Sequence, residues 1–240
     1  MERVVLVHGS VTGGRATWRA QRPLGRRWEL VVLNRPGFPP GPPVERVDFD
    51  DHAALVASEL GAGSHLVGHS YGGVVSLLAA PRRPEAVRSL TVIEPPAMGV
   101  ARGDPAVERF VAEGTDWWAN GPTHDPEAFL RGFLRYVSSD YVPPSPLPAA
   151  VEQGARTLIG ERAPWEAEIP LDELAAAPFP KLVVSGAHHA AFDAVCAVLE
   201  ARLGAERVVL AGAGHNPQRL PGFNGALEDF WRRASAAREG

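Results

Sequence analysis

One pentapeptide in this chain has the residue types and spacing for covalent chemistry. Gly68-His69-Ser70-Tyr71-Gly72 has the form G-x-S-x-G, with Gly73 next. A serine hydroxyl is a weak nucleophile at neutral pH and needs a neighbouring base to take its proton. Histidine suits that task because its ordinary pKa is about 6.5. Of the eight histidines, His215 is the best base. It follows an apolar run and sits in Gly212-Ala213-Gly214-His215-Asn216, a loop free to approach Ser70. His8 and His69 lie inside tight motifs and read as structural, His52 and His65 as surface or packing residues. His124 is a pocket candidate. His188 and His189 are adjacent, so they share no helical face, and no third ligand is in register. No metal site is expected from them.

The elements around these residues must hold them together. Short apolar runs at residues 4–7, 30–33, 64–67, 89–93, 182–184 and 207–210 are rich in β-branched residues and mostly unalternated. That pattern predicts strands buried on both faces of a parallel sheet. Helical periodicity marks residues 51–60, 71–80, 193–203 and 224–236, with Asp50 or Asp51 as the cap of the first. Ser70 then falls between a buried strand and an apolar helix, where the flanking Gly68 and Gly72 leave room for a sharp turn. Strand–helix alternation predicts a doubly wound α/β fold with a mostly parallel sheet of about six strands. Residues 97–178 break the rhythm. Asp104-Pro105 and Asp125-Pro126 each read as a helix cap followed by proline at the first helical position. Four prolines between 143 and 148 force an extended connection. The expected division is a core of residues 1–96 and 179–240 with a helical cap, residues 97–178, inserted after the strand ending at Glu94.

With the serine motif so placed, the chain resembles the α/β-hydrolase family over nearly its whole length. His8-Gly9 resembles the family's HG motif, and Asn34-Arg35-Pro36-Gly37-Phe38 the turn after its next strand. Gly214-His215 resembles the loop presenting the catalytic histidine. The resemblance implies oxyanion-hole N–H groups from Ser10 and Tyr71, and a lid in the inserted helices. It also implies a carboxylate that orients His215. The commonest family position for that acid, three residues beyond Gly186, holds His189. Some family members carry the acid instead at the strand end after the nucleophile helix, where this chain has Glu94. Glu94 is favoured, with Asp193 as the alternative. Because the first strand already carries His8-Gly9, the family's first antiparallel pair is expected to be missing.

Composition narrows the partners. Apolar residues make up 45% and charged residues 22%, which argues against disorder. A net charge of −4 gives no electrostatic footprint for nucleic acid. No run approaches a membrane span, and the single cysteine, Cys196, fits a reducing compartment. A cytoplasmic protein is expected. No cofactor is expected either: the chain lacks a P-loop and a dinucleotide fingerprint. Trp117, Trp118, Phe133 and Tyr136 are the candidate substrate-binding residues, pointing to a small apolar or aromatic ester-like substrate; the equal alternative is that these aromatics glue the cap to the sheet. The expected activity is hydrolysis of a carboxylic ester or thioester through an acyl-enzyme. Alternatives are a cofactor-free lyase, acyltransferase or perhydrolase on the same fold, or a non-catalytic binding protein. The cap is also a candidate oligomer contact.

Overall fold

The computed structural model describes residues 1–239. Six strands form one parallel sheet in the order β2-β1-β3-β4-β5-β6. They are β1 (Arg3–Val7), β2 (Glu29–Leu33), β3 (Ser64–His69), β4 (Val87–Ile93), β5 (Lys181–Ser185) and β6 (Glu206–Val209). The inner strands are buried on both faces, as their unbroken apolar runs require. The two edge strands are half-exposed, and Val209 is largely open, because each edge has sheet on one side only.

The pleat sends alternate residues to two cores. Val5, Val7, Leu66, Leu90, Val92 and Val183 face α2 (Phe49–Glu59), α3 (Tyr71–Ala79) and α8 (Ala190–Leu203). Val4, Leu6, Val67, Ile93, Leu182 and Val184 face Trp18, Trp28 and the apolar side of α9 (Phe223–Glu239). A four-residue helix, α1 (Gly14–Thr17), lies between β1 and β2.

Between β4 and β5 the chain places α4 (Pro105–Asn120), α5 (Pro126–Tyr136), α6 (Ala149–Ile159) and α7 (Leu171–Ala176). Asp104 accepts hydrogen bonds from the Ala106 and Val107 amides, and Asp125 from Ala128, so both Asp-Pro pairs start helices as their types dictate. Two other caps differ from expectation. Asp48, not Asp50 or Asp51, caps α2 by accepting from the Asp50 amide. Asp193 lies inside the first turn of α8, whose cap is His189: its Nδ1 accepts from Ala191 at 3.1 Å. An imidazole nitrogen can accept as a carboxylate does, and it starts the helix three residues early. A separate small core joins α5 and α6 through Phe129, Leu130, Leu134, Ala155 and Leu158, and Val11 from the loop after β1 is part of it.

Candidate active site

Ser70 sits between β3 and α3 with φ 53° and ψ −126°, a backbone state that L-residues seldom adopt. The flanking glycines explain how the turn closes. A Cβ at Gly68 would stand 2.3 Å from the Gly72 carbonyl oxygen, and one at Gly72 would stand 2.4 Å from the His8 carbonyl oxygen. The turn leaves the serine at the start of a nine-residue helix. Tyr71 is the first residue of α3, so its amide has no acceptor within the helix. The Ser10 backbone lies on the facing loop, where a Cβ on neighbouring Gly9 would meet the Ser70 Cβ at 2.8 Å.

The Ser70 hydroxyl lies 2.9 Å from His215 Nε2, in position to donate to it. Both residues are buried among Phe192, Val137 and the β1 loop. His69 fixes the histidine loop: its Nε2–H donates to the His215 carbonyl at 2.8 Å. Burial, and then the neighbouring His215, hold the His69 imidazole down to about 3, so it is neutral. His8 is also buried and held well below 6.5, first by burial. Its Nε2 accepts the Arg35 amide and its Nδ1 donates to the Gly9 carbonyl, which ties β1 to the loop after β2. His52 and His65 are both buried packing residues, and His124 is exposed on the insertion, away from the cavities at Ser70.

Glu94 is completely buried at the end of β4, with φ 47°. The Gly186 amide donates to its Oε1. Its Oε2 lies 3.8 Å from His215 Nδ1 and 3.3 Å from His188 Nδ1. Asp193 is half-exposed and reaches Arg207 at 3.8 Å instead. Burial raises the Glu94 carboxyl, but His188 and His215 together outweigh it and hold it at about 2. The second imidazole is a departure from the sequence reading. His188 does not join His189; it joins Glu94 and His215, and the three ligand-type atoms lie within 4.8 Å of one another. His189 takes no part in this group; the two partners of His188 come from the ends of two other strands, which adjacency arguments miss. The arrangement is also that of an acid shared by two imidazoles.

Two cavities meet at Ser70. One is lined by Phe110, Trp118, Phe133, Tyr136, Trp165 and Phe192, with Glu161 and Ser10 also on its wall. The other runs past His215 to Tyr141, Asn216 and Arg219. Of the candidate substrate-binding residues, Trp118, Phe133 and Tyr136 line the first of these cavities. Trp117 does not: it lines neither cavity and packs on Phe129 and over Gly132, where a Cβ would stand 2.0 Å from its ring. Helical geometry turns adjacent residues by about 100°, so the two rings pack on Phe129 from different directions and only Trp118 reaches the cavity. Phe110, Trp165, Phe192 and Glu161 were not found from sequence. Phe110 falls on the helical face of Val107 and Val111, which reads equally well as core.

Glu161, just beyond α6, forms a buried ion pair with Arg35 and accepts a hydrogen bond from the Ser10 hydroxyl. Burial raises its carboxyl pKa, and the Arg35 guanidinium and Ser10 hydroxyl act against that rise. Arg35 also stacks over Tyr71 and Phe38, at 4.5 and 4.6 Å from the ring centres.

Strand order, serine turn and histidine loop together define a hydrolase-type α/β fold, and the chain belongs to the alpha/beta hydrolase family, whose profile matches residues 4–223. Among curated proteins it is 30% identical over 230 residues to the polyketide synthase ThaQ of Burkholderia thailandensis, covering 89% of this chain but 11% of that one. It is 31% identical over 90 residues to the pimeloyl-[acyl-carrier protein] methyl ester esterase of Chromobacterium violaceum, covering 38% of this chain and 35% of that one. These matches span from about a tenth to a third of the relatives' own length. A thermophilic esterase from Thermogutta terrifontis superposes with a TM-score of 0.68 over 98% of this chain and 90% of its own, at 22% identity, a likeness of fold. Among the described residues no helix is long and apolar enough to cross a membrane.

Proposed function

We propose that this protein is a serine hydrolase that cleaves carboxylic esters or thioesters of small apolar or aromatic acids through an acyl-enzyme. The observation that carries this reading is the 2.9 Å approach of the Ser70 hydroxyl to His215 Nε2, backed by buried Glu94 and opening on an aromatic cavity. Ser70 Oγ attacks the acyl carbon as its proton passes to His215 Nε2. The developing oxyanion is held by the Ser10 and Tyr71 amides, and Glu94 stabilises the imidazolium. The ester or thioester bond breaks, and the leaving alcohol or thiol takes the proton from His215. Water then attacks the acyl-serine, giving its proton back through His215 and releasing the acid and free Ser70.

The apolar cavity suits the acyl half, and the more polar cavity past His215 suits the leaving group and the entering water. Esterase names among the relatives support an ester substrate, and the polyketide synthase match supports an acyl chain.

The test is a panel of p-nitrophenyl esters and matching thioesters. Ser70→Ala is expected to lower turnover by about 10⁴–10⁶-fold. Glu94→Gln is expected to lower it by orders of magnitude, up to about 10⁴-fold, with Asp193→Asn near wild type. Hydrolysis retained by Ser70→Ala, or a collapse in Asp193→Asn with Glu94→Gln intact, would overturn the assignment.

A further inference from the structure

The loop that carries the proposed oxyanion donor is built partly by the cap. Val11, next to Ser10, has φ 73°, a conformation that is a true outlier for a β-branched side chain. Such a backbone persists only where its surroundings over-determine it. Here the surroundings come from the inserted helices. The Val11 side chain is buried in the core that α5 and α6 make between them. Its carbonyl lies so close to α6 that a Cβ on Gly154 would stand 1.7 Å from the oxygen. One residue earlier, the Ser10 hydroxyl donates to Glu161. That carboxylate is 151 residues away in the chain and is itself held by Arg35, whose backbone amide is bound by His8. The carboxylate therefore joins the cap to both sides of the oxyanion loop.

We propose that Glu161 is a positioning residue for the oxyanion hole: by gripping the Ser10 hydroxyl it aims the Ser10 amide at the reacting carbonyl, so that the hole is complete only with the cap docked. This inference rests on the acyl-transfer reading above. It adds that the cap, besides shaping the cavity, completes the machinery. Glu161 touches no reacting atom in this scheme. Its carboxylate faces the apolar cavity, but both its oxygens are engaged, one by Arg35 and one by Ser10.

The experiment compares wild type, Glu161→Gln and Ser10→Ala on a short p-nitrophenyl ester. It also measures calorimetric affinity for an arylboronic acid, which adds to Ser70 as a tetrahedral adduct, and for the matching unreactive amide. Removing an oxyanion donor outright costs about 10²–10³ in turnover. A displaced donor should cost less. Glu161→Gln is expected to lower kcat at least about tenfold with KM changed less than about threefold. Boronate affinity should fall in step with kcat while amide affinity holds. Ser10→Ala, which keeps the amide and the Arg35–Glu161 pair, is expected to move the same quantities in the same direction. It provides the reading if the unpaired Arg35 charge prevents Glu161→Gln from folding. Unchanged kcat and boronate affinity in either folded variant would overturn the proposal. So would a loss of amide and boronate affinity together, since that marks simple loss of the cavity. Wild type that binds boronate but hydrolyses nothing would sink the hydrolase reading, while the boronate comparison would still decide this one.

Discussion

Glu94 faces two imidazoles with one free oxygen, and the second imidazole gives a pH signature. Burial alone lowers the His188 pKa, but the Glu94 carboxylate, helped less by the Val137 carbonyl and then by Asp193, outweighs it and holds the ring above its ordinary 6.5. A raised histidine pKa stabilises the fold fully below pH 6.5, and that contribution disappears as the pH rises through the higher folded value. The lowered Glu94 value acts oppositely: its contribution is complete above 4.5 and disappears as the pH falls towards about 2. The pair is therefore strongest between those limits. His188→Gln is expected to destabilise the protein most near about pH 5–6 and progressively less towards about pH 9. Urea unfolding across that range checks this; a destabilisation independent of pH would remove the charged pair from the account. Glu94 itself was legible from its place at a strand end. His188 was not, because its partners come from two other strand ends.

At the scale of elements, Trp118 on α4 and Trp165 after α6 meet edge to face at 6.0 Å. Both rings line the aromatic cavity at Ser70 and also an open groove beside Arg46, Thr115 and Arg162, and so stand between the two. Trimming either ring should join the two spaces. Trp118→Ala is expected to raise the ratio of kcat/KM for octanoyl over butyryl esters by at least about tenfold, the gain from a single added methylene that finds a place to bind. An unchanged ratio in the folded variant would make the tryptophans packing only. The starts of α4 and α5 were readable because an Asp-Pro cap is local chemistry between neighbours. Which tryptophan faces the cavity was not, because that depends on how α5 and α6 dock against the end of α4. The α8 start was misplaced for a related reason. His189 accepts at the cap only because the turn after β5, with Ala187 at φ 52°, presents its ring to the Ala191 amide.

Across the whole molecule, parallel crossovers bring every strand's carboxyl end to one edge. Ser10, Ser70, Glu94 and His215 follow β1, β3, β4 and β6, so the four meet there although they are spread over most of the chain. This is why so much was legible. Strand runs and glycine turns are local signals, and topology converts them into a site. The Ser10–Glu161–Arg35 contacts had no such signal, because they depend on how the inserted helices fold back over the edge.

The claim beneath all of this is that Ser70 is a nucleophile activated by His215. The most direct measurement is labelling of the folded protein with a fluorophosphonate probe, followed by peptide mapping, in wild type and His215→Ala. One adduct is expected, on Ser70, formed at least about 10³-fold more slowly without the imidazole. A folded wild-type protein that takes up no label, or takes it up on another residue, would contradict it.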